Sequence, residues 1–395
     1  MAGALRGVRI VEFAGIGPGP FCGMMLADHG AEVIRIDRPG AVFDANDVLA
    51  RNRRSIVVDM KSPQGLEVVR DLCRSADGLI EGYRPGVMER LGLGPDVLMR
   101  DNSRLVYGRM TGWGQEGPYA RAAGHDINYI ALSGVLHTVG VDGAKPTPPV
   151  NYVGDFGGGG MLLAFGMVSA LLAVRLGGPG QVVDAAMTDG SALLSSMVWQ
   201  MYASGRWRDA PGINLLDGGA HFYDTYVCAD GKFISIGSIE PQFYALLRQK
   251  LGLQDDPAFD RQTDPAKWPA LKARLGEIFR TKSRDEWCGL MEGSDVCFAP
   301  VLSLSEAPAH PHNVARQTFI SVSGQTQPAP APRFSTTGAE VPRAPRQPGC
   351  DSETILQMLG YGSDRVDRLR AAGVISGPAQ QDLQASGSGA GRGDG

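Results

Sequence analysis

The chain has 395 residues, 43% of them hydrophobic and 20% charged, enough apolar material for two domains and too much for a globally disordered protein. With 38 Lys and Arg against 42 Asp and Glu, the formal net charge of -4 excludes the broad basic face by which nucleic acids are held, so no nucleic-acid partner is expected. An anionic ligand must instead meet a local cluster of cations.

The 54 glycines and 26 prolines predict many tight turns and close backbone approaches. Strands are expected over 8–13, 32–37, 55–59, 78–81 and 104–109. The turn-rich Gly15-Ile16-Gly17-Pro18-Gly19-Pro20 follows the first, then a helix over 20–29. Ser62-Pro63 supplies a cap and a first-turn proline for a helix ending near 76. This alternation implies right-handed βαβ units and a mainly parallel sheet. Two apolar segments of helical length, 127–137 and 161–176, a strand over 181–187 and a helix over 190–204 complete a large Rossmann-like α/β domain over 1–205. The apolar run 161–174 falls short of the roughly 20 residues a bilayer needs, so a buried helix and no membrane partner are expected.

A linker rich in Gly, Asp and Asn occupies 206–222, and a smaller α+β domain occupies 223–324. It opens with a hairpin, 224–228 and 233–237 around Ala229-Asp230-Gly231-Lys232, followed by helices over 241–251, 269–279 and 284–291. The Pro-, Ala- and Ser-rich stretch 325–347 begins a return segment over 325–376, with helices near 351–359 and 364–371. The tail 377–395 is expected to be disordered.

The six cysteines show no CxxC pair and no metal-ligand spacing, which predicts reduced thiols, no metal site and a cytoplasmic location, and no signal-peptide core precedes the first strand. The first strand, its glycine-rich turn and Asp37 imitate a dinucleotide site. The third glycine of that fingerprint falls on Pro20, however, and Pro18 and Pro20 remove two N–H donors, so no nicotinamide cofactor is expected.

The most specific segments are Met110-Thr111-Gly112-Trp113-Gly114-Gln115-Glu116-Gly117-Pro118 and Ala123-Gly124-His125-Asp126-Ile127-Asn128-Tyr129. Further on stand Gly154-Asp155-Phe156-Gly157-Gly158-Gly159, Gly180-Gln181-Val182-Val183-Asp184, Tyr223-Asp224-Thr225-Tyr226 and Ile239-Glu240-Pro241-Gln242-Phe243. In this order and spacing, over roughly 5–334, the sequence resembles the alpha-methylacyl-CoA racemase family of the family III CoA-transferase superfamily. The resemblance implies an interlocked homodimer in which the return segment rejoins the large domain and the active site lies between one chain's large domain and its partner's small domain. It also implies an acyl-CoA thioester as substrate and no separate cofactor.

Racemising a 2-methylacyl thioester removes the α-proton from one face and returns one to the other through an enolate, so two acid/base groups are needed. By resemblance these are His125 and Asp155, with Glu240 entering the partner's site and helping to set the histidine's protonation. Burial raises a carboxylic acid's pKa and lowers a histidine's, bringing the two together. The residues alone also allow plainer roles. Asp155 reads as a helix cap, His125 as a capping or surface histidine, Asp126 as a cap or as the group that orients His125, and Glu240 as an acid at a helix N-terminus.

For the CoA phosphates the resemblance implies Arg38, Val58, Asp59, Met60, Lys61, Gly82, Tyr83, Arg84, Arg90, Gly124, Asp126, Ile127, Asn128 and Tyr129. Arg51, Arg53 and Arg54 form the densest basic cluster and read equally as phosphate ligands or as surface charge. The alternative activity is CoA transfer between carboxylic acids, with Asp155 as nucleophile passing through an acyl anhydride and an enzyme-bound CoA thioester. That chemistry has no use for a second base, so His125 discriminates the two.

Overall fold

The computed structural model describes residues 3–378, so residues 379–395 of the expected tail lie outside the described residues. The chain begins with β1 (Arg9–Phe13), α1 (Pro18–Asp28), β2 (Glu32–Asp37), β3 (Arg54–Val58), α2 (Pro63–Arg74), β4 (Gly78–Glu81), α3 (Val87–Arg90), α4 (Pro95–Asp101) and β5 (Val106–Thr111). Next come α5 (Asp126–Leu132), a wide helical segment Tyr152–Met161 running into α6 (Leu162–Arg175), β6 (Val182–Ala186), α7 (Met187–Leu194) and α8 (Ser196–Ala203). Then follow β7 (Tyr223–Val227), β8 (Phe233–Gly237), α9 (Pro241–Leu251), α10 (Trp268–Phe279), α11 (Arg284–Met291), β9 (Phe298–Val301) and α12 (Pro311–Arg316). The described chain closes with β10 (Phe319–Val322), β11 (Gln325–Pro328), α13 (Ser352–Met358), α14 (Ser363–Ala371) and β12 (Ile375–Ser376). Two compact units are interleaved along it: residues up to Arg121, Gly159–Ala186 and from Ser321 onward form the first, and Ala122–Gly158 with Met187–Ile320 the second.

The first unit is built on a seven-stranded sheet in the order β12-β3-β2-β1-β4-β5-β6. All its pairs are parallel except β12, which runs antiparallel to β3. Buried Val11, Ile34, Ile56, Leu79 and Tyr107 make these strands almost continuously apolar, as a sheet covered on both faces requires. Strand order reverses between β1 and β4, where an open α/β sheet leaves a crevice beyond its carboxyl ends. The Rossmann strand order is therefore present. The dinucleotide loop is not, because Pro18 and Pro20 lie in the first turn of α1, where their missing N–H groups cost the helix nothing. In α2, the Ser62 hydroxyl accepts the Gly65 N–H at 2.9 Å, and Val68, Val69, Leu72 and Cys73 face the core.

The second unit contains α5, α7 and α8 and a three-stranded antiparallel sheet β7-β8-β9 flanked by α9, α10 and α11. The expected hairpin turn is made by Gly231 at φ 74° with the Asp230 carboxylate accepting the Lys232 N–H. Phe222, Tyr226, Ile234, Phe259, Leu275, Phe279 and Trp287 form the core around it.

Several elements differ from the sequence expectation. The helix expected over 127–137 stops at Leu132, because Gly134 turns the chain at φ 85° into a short, tighter helical turn Val135–Thr138. The helix expected over 190–204 starts at Met187 and breaks at Ser195; the hydroxyls of Ser195 and Ser196 donate back to the carbonyls of Ala192 and Leu193. The apolar run 161–174 belongs to a helix that begins much earlier, Tyr152–Arg175. At 24 residues it is long and apolar enough to cross a bilayer by length and composition, with half of its apolar window buried. Two short strand features went unseen: β9, an edge strand carrying Pro300, and the β10–β11 hairpin turned by Ser323 and Gly324.

Candidate active site

In the first unit, the candidate phosphate ligands line up beyond the carboxyl ends of β2, β3 and β4. Arg38, Lys61, Arg84 and Arg90 are all exposed, and Gly82 is open beside them. The Tyr83 ring meets Phe13 edge to face at 6.0 Å. Burial pushes the Tyr83 hydroxyl above its ordinary value and the charge of Arg38 opposes the rise, so the ends of β2 and β4 lie within electrostatic reach of each other. Val58 is different: its side chain is fully buried in the core, and its main chain pairs with Ile375 of β12. The Asp59 N–H is likewise engaged by the Val374 carbonyl at 2.8 Å, and its carboxylate accepts the Lys61 N–H at 3.0 Å.

The basic cluster at 51–54 is internal rather than a surface charge. Arg51 is 2% exposed and donates to the Asp28 carboxylate at 2.5 Å and to Gln327 Oε1 and the Pro328 carbonyl, both at 2.8 Å. Arg53 is 3% exposed and donates to Glu12 at 3.0 Å and to the Pro20 carbonyl. Arg54 pairs with Glu32 at 2.5 Å. With two of the three cations buried against carboxylates, the cluster is the latch of the return segment and the support of β1.

The second unit brings His125 and Asp155 together. His125 is the exposed N-cap residue of α5; its N–H donates to Asn128 Oδ1 at 3.0 Å, so Asn128 spends its carbonyl holding the histidine's backbone. The buried Tyr129 donates its hydroxyl to the Gly124 carbonyl, fixing the chain on the other side of His125, while Ile127 is exposed. Asp126 is neither the cap nor a partner of His125. It is buried, and its Oδ1 accepts the backbone N–H of Asp155 at 2.7 Å.

Asp155 is also not a cap, since it lies inside the wide segment Tyr152–Met161, whose looser π-type winding recurs at functional sites. Its carboxylate accepts Asn151 Nδ2 at 3.0 Å. Burial pushes the Asp155 carboxyl above the ordinary range; the amide of Asn151 works against this, the charge of Asp126 adds to it, and His125 lowers it. Gly154 is required here, because any Cβ would collide with the Asp126 carboxylate and crowd Ile130. Gly158 packs directly against Gly190 of α7, backbone to backbone. Glu240 is not among the charges that act on Asp155; it stands exposed as the N-cap residue of α9, within electrostatic reach of Cys297.

Sequence reasoning did not single out Asn151. Its signal was its place four residues before Asp155, one helical turn away. The arrangement sets a half-buried carboxyl group with a raised pKa beside an exposed imidazole, a pair able to exchange protons with one bound carbon acid. Among the described residues, no cluster of His, Cys, Asp and Glu could hold a metal ion.

The chain is 47% identical over 374 residues to the alpha-methylacyl-CoA racemase of Mus musculus, covering 94% of this chain and 97% of that one. It is 45% identical over 375 residues to the alpha-methylacyl-CoA racemase of Homo sapiens, again covering 94% and 97%. Among solved structures it is similar to a CAIB/BAIF family protein from Brucella suis, with a TM-score of 0.77, 26% identity, and coverage of 91% of this chain and 100% of that one. The family model of CoA-transferase family III matches residues 5–354, and the chain belongs to that family.

Proposed function

We propose that the chain is an alpha-methylacyl-CoA racemase, interconverting the (2R) and (2S) forms of 2-methylacyl-CoA thioesters. The observation that carries this reading is the placing of Asp155 within electrostatic reach of His125, with the Asp155 backbone N–H held by the buried carboxylate of Asp126, the residue next to that histidine. One base takes the α-proton, and its electron pair delocalises onto the thioester oxygen as an enolate. The other group then delivers a proton to the opposite face of the same carbon, so each ends in the state in which the other began. Burial raises the Asp155 pKa, which draws that carboxyl group towards the range in which it can give a proton as well as take one, and the imidazole of His125 is the second acid/base group. The cycle consumes no cofactor. Glu240 is proposed to tune the histidine from a second copy of the chain.

Arg38, Lys61, Arg84 and Arg90 are proposed to bind the CoA phosphates, supported by their exposure at the carboxyl ends of parallel strands. A homodimer is proposed as well. It is supported by the exposed apolar stripe Met161, Phe165, Val168, Leu172 and Leu176 along one helix, a pattern that marks a surface meant to be covered.

The test uses one enantiomer of a 2-methylacyl-CoA in D₂O without an acceptor acid. Deuterium entering at Cα together with loss of optical purity is the expected result. CoA transfer to an added carboxylic acid with no exchange at Cα would overturn it and recast Asp155 as a nucleophile.

A further inference from the structure

Beneath the exposed cations of the first unit lies a buried ion pair, Glu81 and Arg109, joined at its rim by the exposed Glu89, that the proposed reaction does not use. Glu81 closes β4 and is 1% exposed. Its Oε2 accepts the Tyr83 N–H at 2.7 Å and its Oε1 accepts Arg109 Nε at 3.1 Å. Arg109, its cross-strand neighbour on β5, is 7% exposed and reaches with its other arm to Glu89 in α3 at 2.9 Å. One carboxylate thus holds the turn carrying Tyr83 and Arg84, while the guanidinium ties that carboxylate to the short helix carrying Arg90. Arg90 itself folds back over Gly86, whose φ of 85° makes the bend between the two segments.

A buried ion pair is an expensive way to stabilise a core, where apolar residues of equal volume do as well or better. Its geometry has another use: two chain segments that each present a phosphate-seeking arginine are locked to one guanidinium. We propose that Glu81 and Arg109 are positioning residues for CoA, a clasp that sets Tyr83, Arg84 and Arg90 in a single binding geometry. The inference rests on the reading that these exposed residues bind CoA.

Burial pushes Glu81 up to about 7; the Tyr83 N–H and Arg109 act against this and Glu89 adds to it. The groups facing it are Arg109 and Tyr107 from β5, Glu89 from α3 and Tyr83 from its own turn. In its ionised form Glu81 holds both partners. Protonation removes its charge and loosens the clasp, so CoA affinity falls as pH drops through about 7.

The test measures CoA binding by calorimetry, and KM and kcat, from pH 6 to 8.5 on the full chain and on Glu81→Gln, Arg109→Lys and Arg109→Met. Glu81→Gln keeps the side-chain shape and an acceptor for Tyr83, so it carries the test if Arg109→Met fails to fold. At pH 8 it is expected to weaken CoA binding roughly tenfold, with kcat at saturating thioester within about twofold, and to flatten the pH dependence of affinity. Arg109→Lys is expected to recover part of what Arg109→Met loses. Unchanged CoA affinity in Glu81→Gln would overturn the clasp while leaving the racemase reading intact, and so would a fall in thermal stability with KM unmoved. Failure of the unmodified chain to bind CoA would overturn both.

Discussion

The Oδ1 of Asp126 accepts the backbone N–H of Asp155 at 2.7 Å, so the residue after one proposed base holds the main chain of the other. The two groups sit on separate segments, the start of α5 and the wide helical turn after Asn151, and this one hydrogen bond keeps them in register. It also sets a negative charge beside the Asp155 carboxyl, which adds to the upward push of burial on that group's pKa.

Replacing Asp126 by Asn should therefore separate two effects. The amide oxygen still accepts the Asp155 N–H, but the charge is gone. Because that charge raises the Asp155 pKa, its loss lowers it, and the acidic limb of the kcat profile should move to lower pH. Asp126→Ala loses the hydrogen bond as well and should cut kcat about tenfold further. A pH–rate profile of both variants checks this.

His125→Ala and Asp155→Ala should each lower racemisation by about 10²- to 10⁴-fold, the usual worth of a positioned acid or base. CoA affinity should stay nearly unchanged. The informative readout is exchange from each enantiomer separately, because a variant lacking one base should still wash deuterium into one substrate hand faster than the other.

Arg38 and Arg53 make a contrasting pair. Arg38→Ala should raise KM with little change in kcat, since it removes phosphate binding common to ground and transition states. Arg53→Met should leave KM alone and destabilise the fold by about 3–5 kcal/mol, because it strands the buried Glu12 without its partner. Steady-state kinetics and denaturant unfolding on both variants distinguish the ligand from the strut.

His221 should make stability depend on pH. It is fully buried, donates or accepts through Nε2 at 2.7 Å from the Tyr244 hydroxyl, and burial holds its pKa down at about 4. The unfolded chain regains a pKa of about 6.5 and binds the proton the native state refuses. Stability is thus complete above that value and falls as pH drops from about 6.5 towards 4, at up to about 1.4 kcal/mol per pH unit. Unfolding midpoints between pH 4 and 7.5 should show this slope, and His221→Gln should flatten it.

The parts of this molecule that were legible beforehand are those written in local chemistry. Ser62-Pro63 announced α2, Glu240-Pro241 announced α9, and the alternation of apolar runs announced the parallel sheet. The parts that were not legible depend on partners far along the chain. Arg51 and Arg53 look like surface charge until Asp28, Gln327 and Glu12 close around them. The helix over Tyr152–Met161 contains five glycines, each costing about 1 kcal/mol against alanine, and propensity alone argues against it. It forms because Gly154 must clear Asp126 and Gly158 must meet Gly190. Asp126 illustrates the same point within the site: its role was open between cap and orienting group, and the partner it chose lies 29 residues downstream.

The last described strand has a consequence for how the chain is made. β3 is finished on one side only when β12 arrives, with the Val374 carbonyl taking the Asp59 N–H and Asp351 and Gly349 closing on Ser55. Until Ile375 and Ser376 have left the ribosome, β3 is a bare edge, a template on which another nascent chain could add a strand. Such a pairing, between strands far apart along the chain, folds slowly because so long a loop must close first. A ribosome that stops short of Ile375 would therefore release a sheet that invites aggregation.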